Sequence, residues 1–136
     1  MFALRQIMTP WPSFLSADMT LLEASRVMAD RDLRTMPVCA PDRTFEGVLN
    51  ARDLSRAVTR GKDPAIATIG ELVHPMDAPS VDIDDPLDVV LFAMRVHDVR
   101  RMYVVEDGKL VGIVSLTDLA RACPPERMRQ VVAQVA

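Results

Sequence analysis

Within Gly112-Ile113-Val114-Ser115-Leu116-Thr117-Asp118, two hydroxyls and a carboxylate follow directly on a short apolar run. The run reads as a strand, and Leu119-Ala120-Arg121-Ala122 reads as a helix. Ser115, Thr117 and Asp118 are thereby expected at a strand's C-terminal end, beside a helix N-terminus. Backbone N–H groups and the helix dipole favour an anion there, and the carboxylate can accept both hydroxyls of a ribose. Glycine, a β run and an N-capping Ser, Thr or Asp describe an ordinary strand-to-helix turn equally well. On this stretch alone both readings stand.

A second copy changes the weighting. Gly47-Val48-Leu49-Asn50-Ala51-Arg52-Asp53 has the same outline, with Gly47 and Gly112, and Asp53 and Asp118, each 65 residues apart. Upstream, Leu21-Leu22-Glu23-Ala24 and Met28 return as Leu87-Asp88-Val89-Val90 and Met94 at a spacing of 66. Arg34-Thr35-Met36-Pro37-Val38 likewise returns as Arg100-Arg101-Met102-Tyr103-Val104. A longer turn in the first copy, Ala40 to Glu46 against Glu106 to Leu110, accounts for the one-residue drift. A duplicated module fills nearly the whole chain.

The elements that position these groups follow from local pattern. Leu4, Ile7 and Met8 suggest a short leading helix, and Trp11-Pro12-Ser13-Phe14-Leu15 is extended because of its proline. Leu21, Ala24, Val27 and Met28 have helical spacing, with Thr20 and Glu23 in capping-box positions. Thr35 to Ala40 and Phe45 to Asn50 are expected as strands across a turn at Pro41-Asp42-Arg43, before a helix carried by Leu54, Ala57 and Val58 that Gly61 ends.

In the second copy Pro79 to Ile83 is extended. Asp85 and Pro86 read as helix cap and first position, before an apolar face of Leu87, Val90, Leu91 and Met94. Arg101 to Val105 and Leu110 to Val114 form a hairpin across Asp107-Gly108. Leu119 to Cys123 begins the last helix, Pro124-Pro125 stops it, and Met128, Val131, Val132 and Val135 mark a terminal amphipathic helix. Each copy is β-α-β-β-α, too small to bury its own sheet face. Two copies packed sheet to sheet with pseudo-twofold symmetry give an α+β fold. The boundaries predicted are 1–60 for repeat 1, 61–71 for a linker, 72–123 for repeat 2 and 124–136 for the terminal helix.

Composition narrows the function classes. A chain of 136 residues with a net charge of −3 and interleaved acids and bases offers no basic stripe for nucleic acid and no polybasic arm for a membrane. No apolar run is long enough to span a bilayer and no signal-like segment follows Met1, so a cytoplasmic location is expected. Cys39 and Cys123 define no disulfide framework and read as buried free thiols, although a redox role is not excluded by sequence. With His74 and His97 they have no metal-ligand spacing, and no metal is expected. No nucleophile-base pairing, phosphate loop or Gly-x-Ser-x-Gly is present, so no enzyme activity is expected.

Ile7-Met8-Thr9-Pro10 and Leu72-Val73-His74-Pro75 open the copies, the Arg34 and Pro37-Val38 segment lies mid-copy, and the Gly-apolar-apolar-Ser/Asn-x-x-Asp turn closes each. Together these resemble the tandem cystathionine β-synthase (CBS) domain pair, the Bateman module, and in particular small stand-alone bacterial CBS-pair proteins.

The resemblance implies composite nucleotide sites, each joining the Asp of one repeat to the extended segment and mid-copy strand of the other. One site would combine Ser115, Thr117 and Asp118 with Ser13, Phe14, Leu15, Met36 and Pro37. The other, weaker site would combine Asn50, Arg52 and Asp53 with Ser80, Val81, Met102 and Tyr103. Asp would accept ribose hydroxyls and Leu15 or Val81 would sandwich the purine. Arg34, Arg52, Arg56, Arg100 and Arg121 are unranked candidates for phosphate. Asn50 stands where the family has Ser or Thr, and Tyr103 replaces a proline, which is why the Asp53 site ranks second.

The resemblance implies a regulatory module that senses an adenosine-type ligand (AMP, ADP, ATP, or S-adenosylmethionine), requires no cofactor, forms a homodimer and signals to an effector protein. The alternative is a non-catalytic dimerisation or interaction module with degenerate nucleotide sites.

Overall fold

The 65-residue periodicity of the sequence recurs in the backbone. The computed structural model describes residues 3–73, 79–122, 125, 126 and 129. Its chain divides into two units, Ser13–Ala78 and Met1–Pro12 with Pro79–Ala136. The N-terminal segment contributes α1 (Leu4–Ile7) and β1 (Thr9–Pro10). The first repeat contributes β2 (Leu15–Ser16), α2 (Leu21–Asp30), β3 (Thr35–Cys39), β4 (Phe45–Asn50) and α3 (Ala51–Thr59), followed by a 3₁₀ turn at Ile69–Glu71. The second contributes β5 (Ser80–Asp82), α4 (Leu87–Val96), β6 (Arg101–Glu106), β7 (Lys109–Ser115) and α5 (Leu116–Ala122). The fold is α+β, and the order β-α-β-β-α occurs twice.

The unit Ser13–Ala78 holds a three-stranded sheet in the order β2-β3-β4, with β2 parallel to β3 and β3 antiparallel to β4. Met36 and Val38 alternate with Pro37 and Cys39 along β3. Met36 and Val38 join Leu15, Leu21, Ala24, Met28, Leu49, Leu54 and Ala57 in one buried cluster. The capping box expected at α2 is present, since Glu23 N–H donates to Thr20 Oγ1 at 3.1 Å and Thr20 N–H to Glu23 Oε1 at 3.4 Å. Val58, expected on the apolar face of α3, is exposed instead.

Gly61, with φ +98°, ends α3 in a Schellman turn. Its N–H donates to the Val58 carbonyl at 3.0 Å, and Lys62 N–H donates to the Ala57 carbonyl at 3.1 Å. The chain beyond it is sewn to this unit. Leu22 and Leu21 N–H groups donate to the Pro64 and Ala67 carbonyls, Thr20 bridges Thr68, and Ile69 is buried in the cluster. Gly70 passes so close to Ala17 that an added Cβ would lie 2.9 Å from its carbonyl oxygen.

The other unit carries a four-stranded sheet in the order β1-β7-β6-β5, with β5 parallel to β6 and the remaining pairs antiparallel. Its cluster contains Leu4, Val81, Leu87, Val90, Leu91, Met94, Met102, Val104, Val114 and Leu119. The segment ahead of the first repeat therefore belongs with the second. Thr9 and Pro10 pair with Ile113 and Gly112, an edge position that tolerates a proline. Met8 packs over Gly112 so closely that an added Cβ there would collide with its sulfur. Both hairpins break register at the same repeat position, Val38/Cys39 and Val104/Val105. Asp107 and Gly108 both have positive φ, as the Asp-Gly turn requires.

Two boundaries differ from sequence expectation. Pro86, not Asp85, is the N-cap of α4, because the Asp85 carboxylate accepts the Asp82 N–H at 2.9 Å and is committed to the preceding turn. The last repeat helix begins at Leu116 rather than Leu119 because Leu116 N–H donates to the Arg100 carbonyl at 2.8 Å. The terminal helix expected through Met128, Val131, Val132 and Val135 lies outside the described residues, as do His74 and Cys123.

Candidate functional site

Both closing turns are built as helix caps. In the second repeat the cap is reciprocal: Ser115 N–H donates to Asp118 Oδ2 at 2.9 Å, and Asp118 N–H donates to Ser115 Oγ at 3.0 Å. In the first repeat Asp53 N–H donates to Asn50 Oδ1 at 2.8 Å. Asn50 thus does as cap acceptor what Ser115 does in the second repeat. The first N–H of each helix is held from mid-copy, Ala51 by the Arg34 carbonyl at 2.9 Å and Leu116 by that of Arg100. Arg34 and Arg100 therefore serve first through their backbones.

One turn into each helix, the two Asp residues line cavities with equivalent walls. Asp118, Arg121 and Ala122 of α5, with Gln6 and Ile7 of α1, line an open depression of about 300 Å³. Asp53, Arg56 and Ala57 of α3, with Arg60, Lys62 and Leu72, line one of about 220 Å³. Asp53, Arg56, Ala57 and Leu72 match Asp118, Arg121, Ala122 and Ile7 at the 65-residue spacing. The Asp, Arg and Ala align because positions three and four apart share one helix face. In each unit, the apolar wall comes from the segment that precedes the other repeat. Ile7 and Leu72 were legible as motif openers, and their shared spacing with the aspartates is the signal that they line the same cavity. Gln6, Arg60 and Lys62 were not anticipated.

A third cavity, about 550 Å³, is lined by Arg34, Thr35, Asn50, Ala51, Arg52 and Ser55. The expected group of Asn50, Arg52 and Asp53 is divided: Asn50 and Arg52 join Arg34 here, and Asp53 turns to the cavity of Arg56.

The remaining expected residues fall in both units. Ser13 Oγ accepts from Arg31 Nη1 at 2.9 Å, and the Arg43 guanidinium lies 4.9 Å from the centroid of the Phe14 ring. Leu15 (0% exposed), Met36, Val81 and Met102 are committed to the cores of their own units. The Leu15 and Val81 side chains are thus taken up by packing within their own units. Pro37 is buried on the strand face opposite Met36. Ser80 is exposed and pairs in register with Tyr103, whose side chain is buried. Thr117 is exposed, while Ser115 and Asp118 are half-buried.

Burial pushes the Cys39 thiol up to about 11, against a smaller lowering by the Arg43 charge. Cys39 is thus a neutral buried thiol at physiological pH. Among the described residues no group of three His, Cys, Asp or Glu side chains is placed to hold a metal. None of their helices is long and apolar enough to cross a membrane.

The sequence profile of the CBS domain matches residues 4–60 and 69–124, each span covering one copy of the repeat. The chain belongs to the CBS-domain family. Hypoxic response protein 1 of Mycobacterium tuberculosis is 33% identical over 132 residues, which cover 96% of this chain and 92% of that one. The crystal structure of Hypoxic Response Protein I with two coordinated zinc ions superposes at a TM-score of 0.77, with 33% identity, over 90% of this CBS pair and 100% of that chain.

Two more distant structures share the fold. The CBS domain protein PAE2072 of Pyrobaculum aerophilum, complexed with AMP, has 24% identity and a TM-score of 0.71, covering 97% of this chain and 99% of that one. The CBS domain pair of protein MJ0100, complexed with 5′-methylthioadenosine and S-adenosyl-L-methionine, has 21% identity and a TM-score of 0.69, covering 89% and 98%.

Proposed function

We propose that this CBS pair is a non-catalytic regulatory module that binds adenosine-type ligands and acts by passing the bound state to a partner protein. The observation that carries the reading is the pair of repeat-equivalent cavities, Asp53-Arg56-Leu72 and Asp118-Arg121-Ile7. Each sets a carboxylate for ribose hydroxyls beside a guanidinium for phosphate and an apolar wall for a base. Ser115 and Thr117 are kept as candidate polar contacts of the same ligand beside Asp118. Ser13, Phe14, Leu15, Met36 and Pro37 in one unit, and Ser80, Val81, Met102 and Tyr103 in the other, are kept as candidate ligand contacts, largely through backbone. AMP and S-adenosylmethionine complexes of fold relatives support this ligand class.

Such a ligand regulates only through a difference in its affinity for two states of the module. A thermal-shift panel tests the reading, because a ligand that binds only the folded state raises the midpoint with concentration. AMP, ADP, ATP and S-adenosylmethionine are the ligands to compare. A midpoint unmoved by any of them would contradict the reading.

One observation favours the second reading, an association module. On α4, Val89, Phe92 and Val96 recur at helical spacing and are exposed, Phe92 by 59% and Val96 by 61%. A second copy of the chain is the proposed partner for this stripe. Sedimentation of Phe92→Ser checks it, with loss of the dimer expected.

A further inference from the structure

The two Asp cavities share their walls but differ in charge. Asp53 and Arg56 of α3 and its C-cap Arg60 follow one another at helical spacing, and all three line the cavity. The Schellman turn at Gly61 then folds the chain back, which adds Lys62 to the same wall. Lys62 Nζ lies 3.6 Å from Glu71 Oε1, both partly exposed, so this pair positions the ammonium at the rim more than it neutralises it. Arg56, Arg60 and Lys62 thus outnumber the two carboxylates there, Asp53 and the rim residue Glu71. Among the described residues Arg121 is the one cation that lines the other cavity beside Asp118, with Gln6, Ile7 and Ala122. At the repeat position of Arg60 the second copy has Pro125. Lys62 corresponds to Arg127, outside the described residues. Arg60 is accordingly the residue that separates the two cavities.

We propose that the Asp53 cavity is the polyphosphate site of the pair, taking a nucleoside di- or triphosphate. The Asp118 cavity takes a nucleoside with at most one phosphate. The proposal rests on the adenosine reading above and adds to it which cavity takes which ligand. Its basis is Coulombic: each further phosphate adds negative charge, which three clustered cations stabilise and a balanced Arg–Asp pair does not.

The test is calorimetric titration of the full chain with ATP, AMP and inorganic tripolyphosphate, for the parent, Arg60→Gln and Arg121→Gln. Arg60→Gln should weaken ATP and tripolyphosphate about tenfold, as expected for loss of one exposed charge-assisted contact, and leave AMP within about twofold. Arg121→Gln should weaken AMP and spare tripolyphosphate. Equal affinities for ATP and AMP, both indifferent to Arg60→Gln, would overturn the charge assignment and leave the adenosine reading intact. Arg60-dependent binding of tripolyphosphate without binding of either nucleotide would support the charge assignment and overturn the adenosine reading. No binding of any of the three by folded parent would overturn both.

Discussion

Ser115 and Asp118 are asked to do two jobs, and removing them one group at a time separates stability from binding. The reciprocal cap satisfies the N–H groups of Ser115 and Asp118 at 2.9 Å and 3.0 Å. Ser115→Ala deletes the oxygen that receives the Asp118 N–H and keeps the carboxylate. Loss of such a cap costs about 1 kcal/mol. An unfolding entropy of about 2.1 cal/mol/K per residue then converts this to a drop of about 3–4 °C in Tm for a chain of 136 residues.

Asp118→Asn keeps an oxygen for the Ser115 N–H and loses only the charge, so its Tm should lie within about 1–2 °C of the parent. Thermal unfolding followed by circular dichroism measures all three proteins. A Ser115→Ala melt that overlays the parent would refute the cap as an energetic contributor. An Asp118→Asn protein melting lower than Ser115→Ala would show that the carboxylate's charge, not its geometry, holds the turn.

Two further outcomes follow from the cores. Leu15→Ala should destabilise the protein by about 2–5 kcal/mol in denaturant unfolding, because the side chain is 0% exposed within its unit's cluster. A near-neutral value would return Leu15 to the ligand. The Cys39 thiol, raised from near 9 to about 11, favours the folded state while it stays protonated. Its contribution is complete below about pH 9 and is lost as pH rises through 11, and Cys39→Ala should flatten the fall of Tm across that window. Rapid labelling of Cys39 by a thiol reagent in folded protein at pH 8 would contradict its burial.

Local chemistry made most of the fold legible. Thr20 with Glu23, Asp107-Gly108 and Gly61 each satisfy nearby backbone groups, so their structures follow from neighbours within a few residues. What escaped is non-local. Two residues, Thr9 and Pro10, carry no periodicity that announces an antiparallel partner at Ile113 and Gly112. The segment from Pro64 to Ile69 has the composition of a linker, yet its carbonyls and Ile69 complete the first unit. Asp85 lost the cap position to Pro86 because another N–H, that of Asp82, competed for its carboxylate.

The site divides the same way. Asp53 and Asp118 were singled out through the repeat, with Arg56 and Arg121 among five unranked arginines. Arg60 and Lys62 were not, because only the turn at Gly61 brings Lys62 back beside Asp53. The stacking role expected of Leu15 and Val81 meets their burial, since alternation on strands of two and three residues does not tell which face is the core.

Calorimetric titration of AMP into the parent, Asp118→Asn and Asp53→Asn tests the central claim most directly. The account predicts saturable binding to the parent, weakened at least about tenfold by Asp118→Asn with the fold retained. Asp53→Asn should leave AMP binding within about twofold. Affinity unchanged by either substitution, or no heat from folded parent, would contradict the reading of the aspartate cavities as adenosine sites.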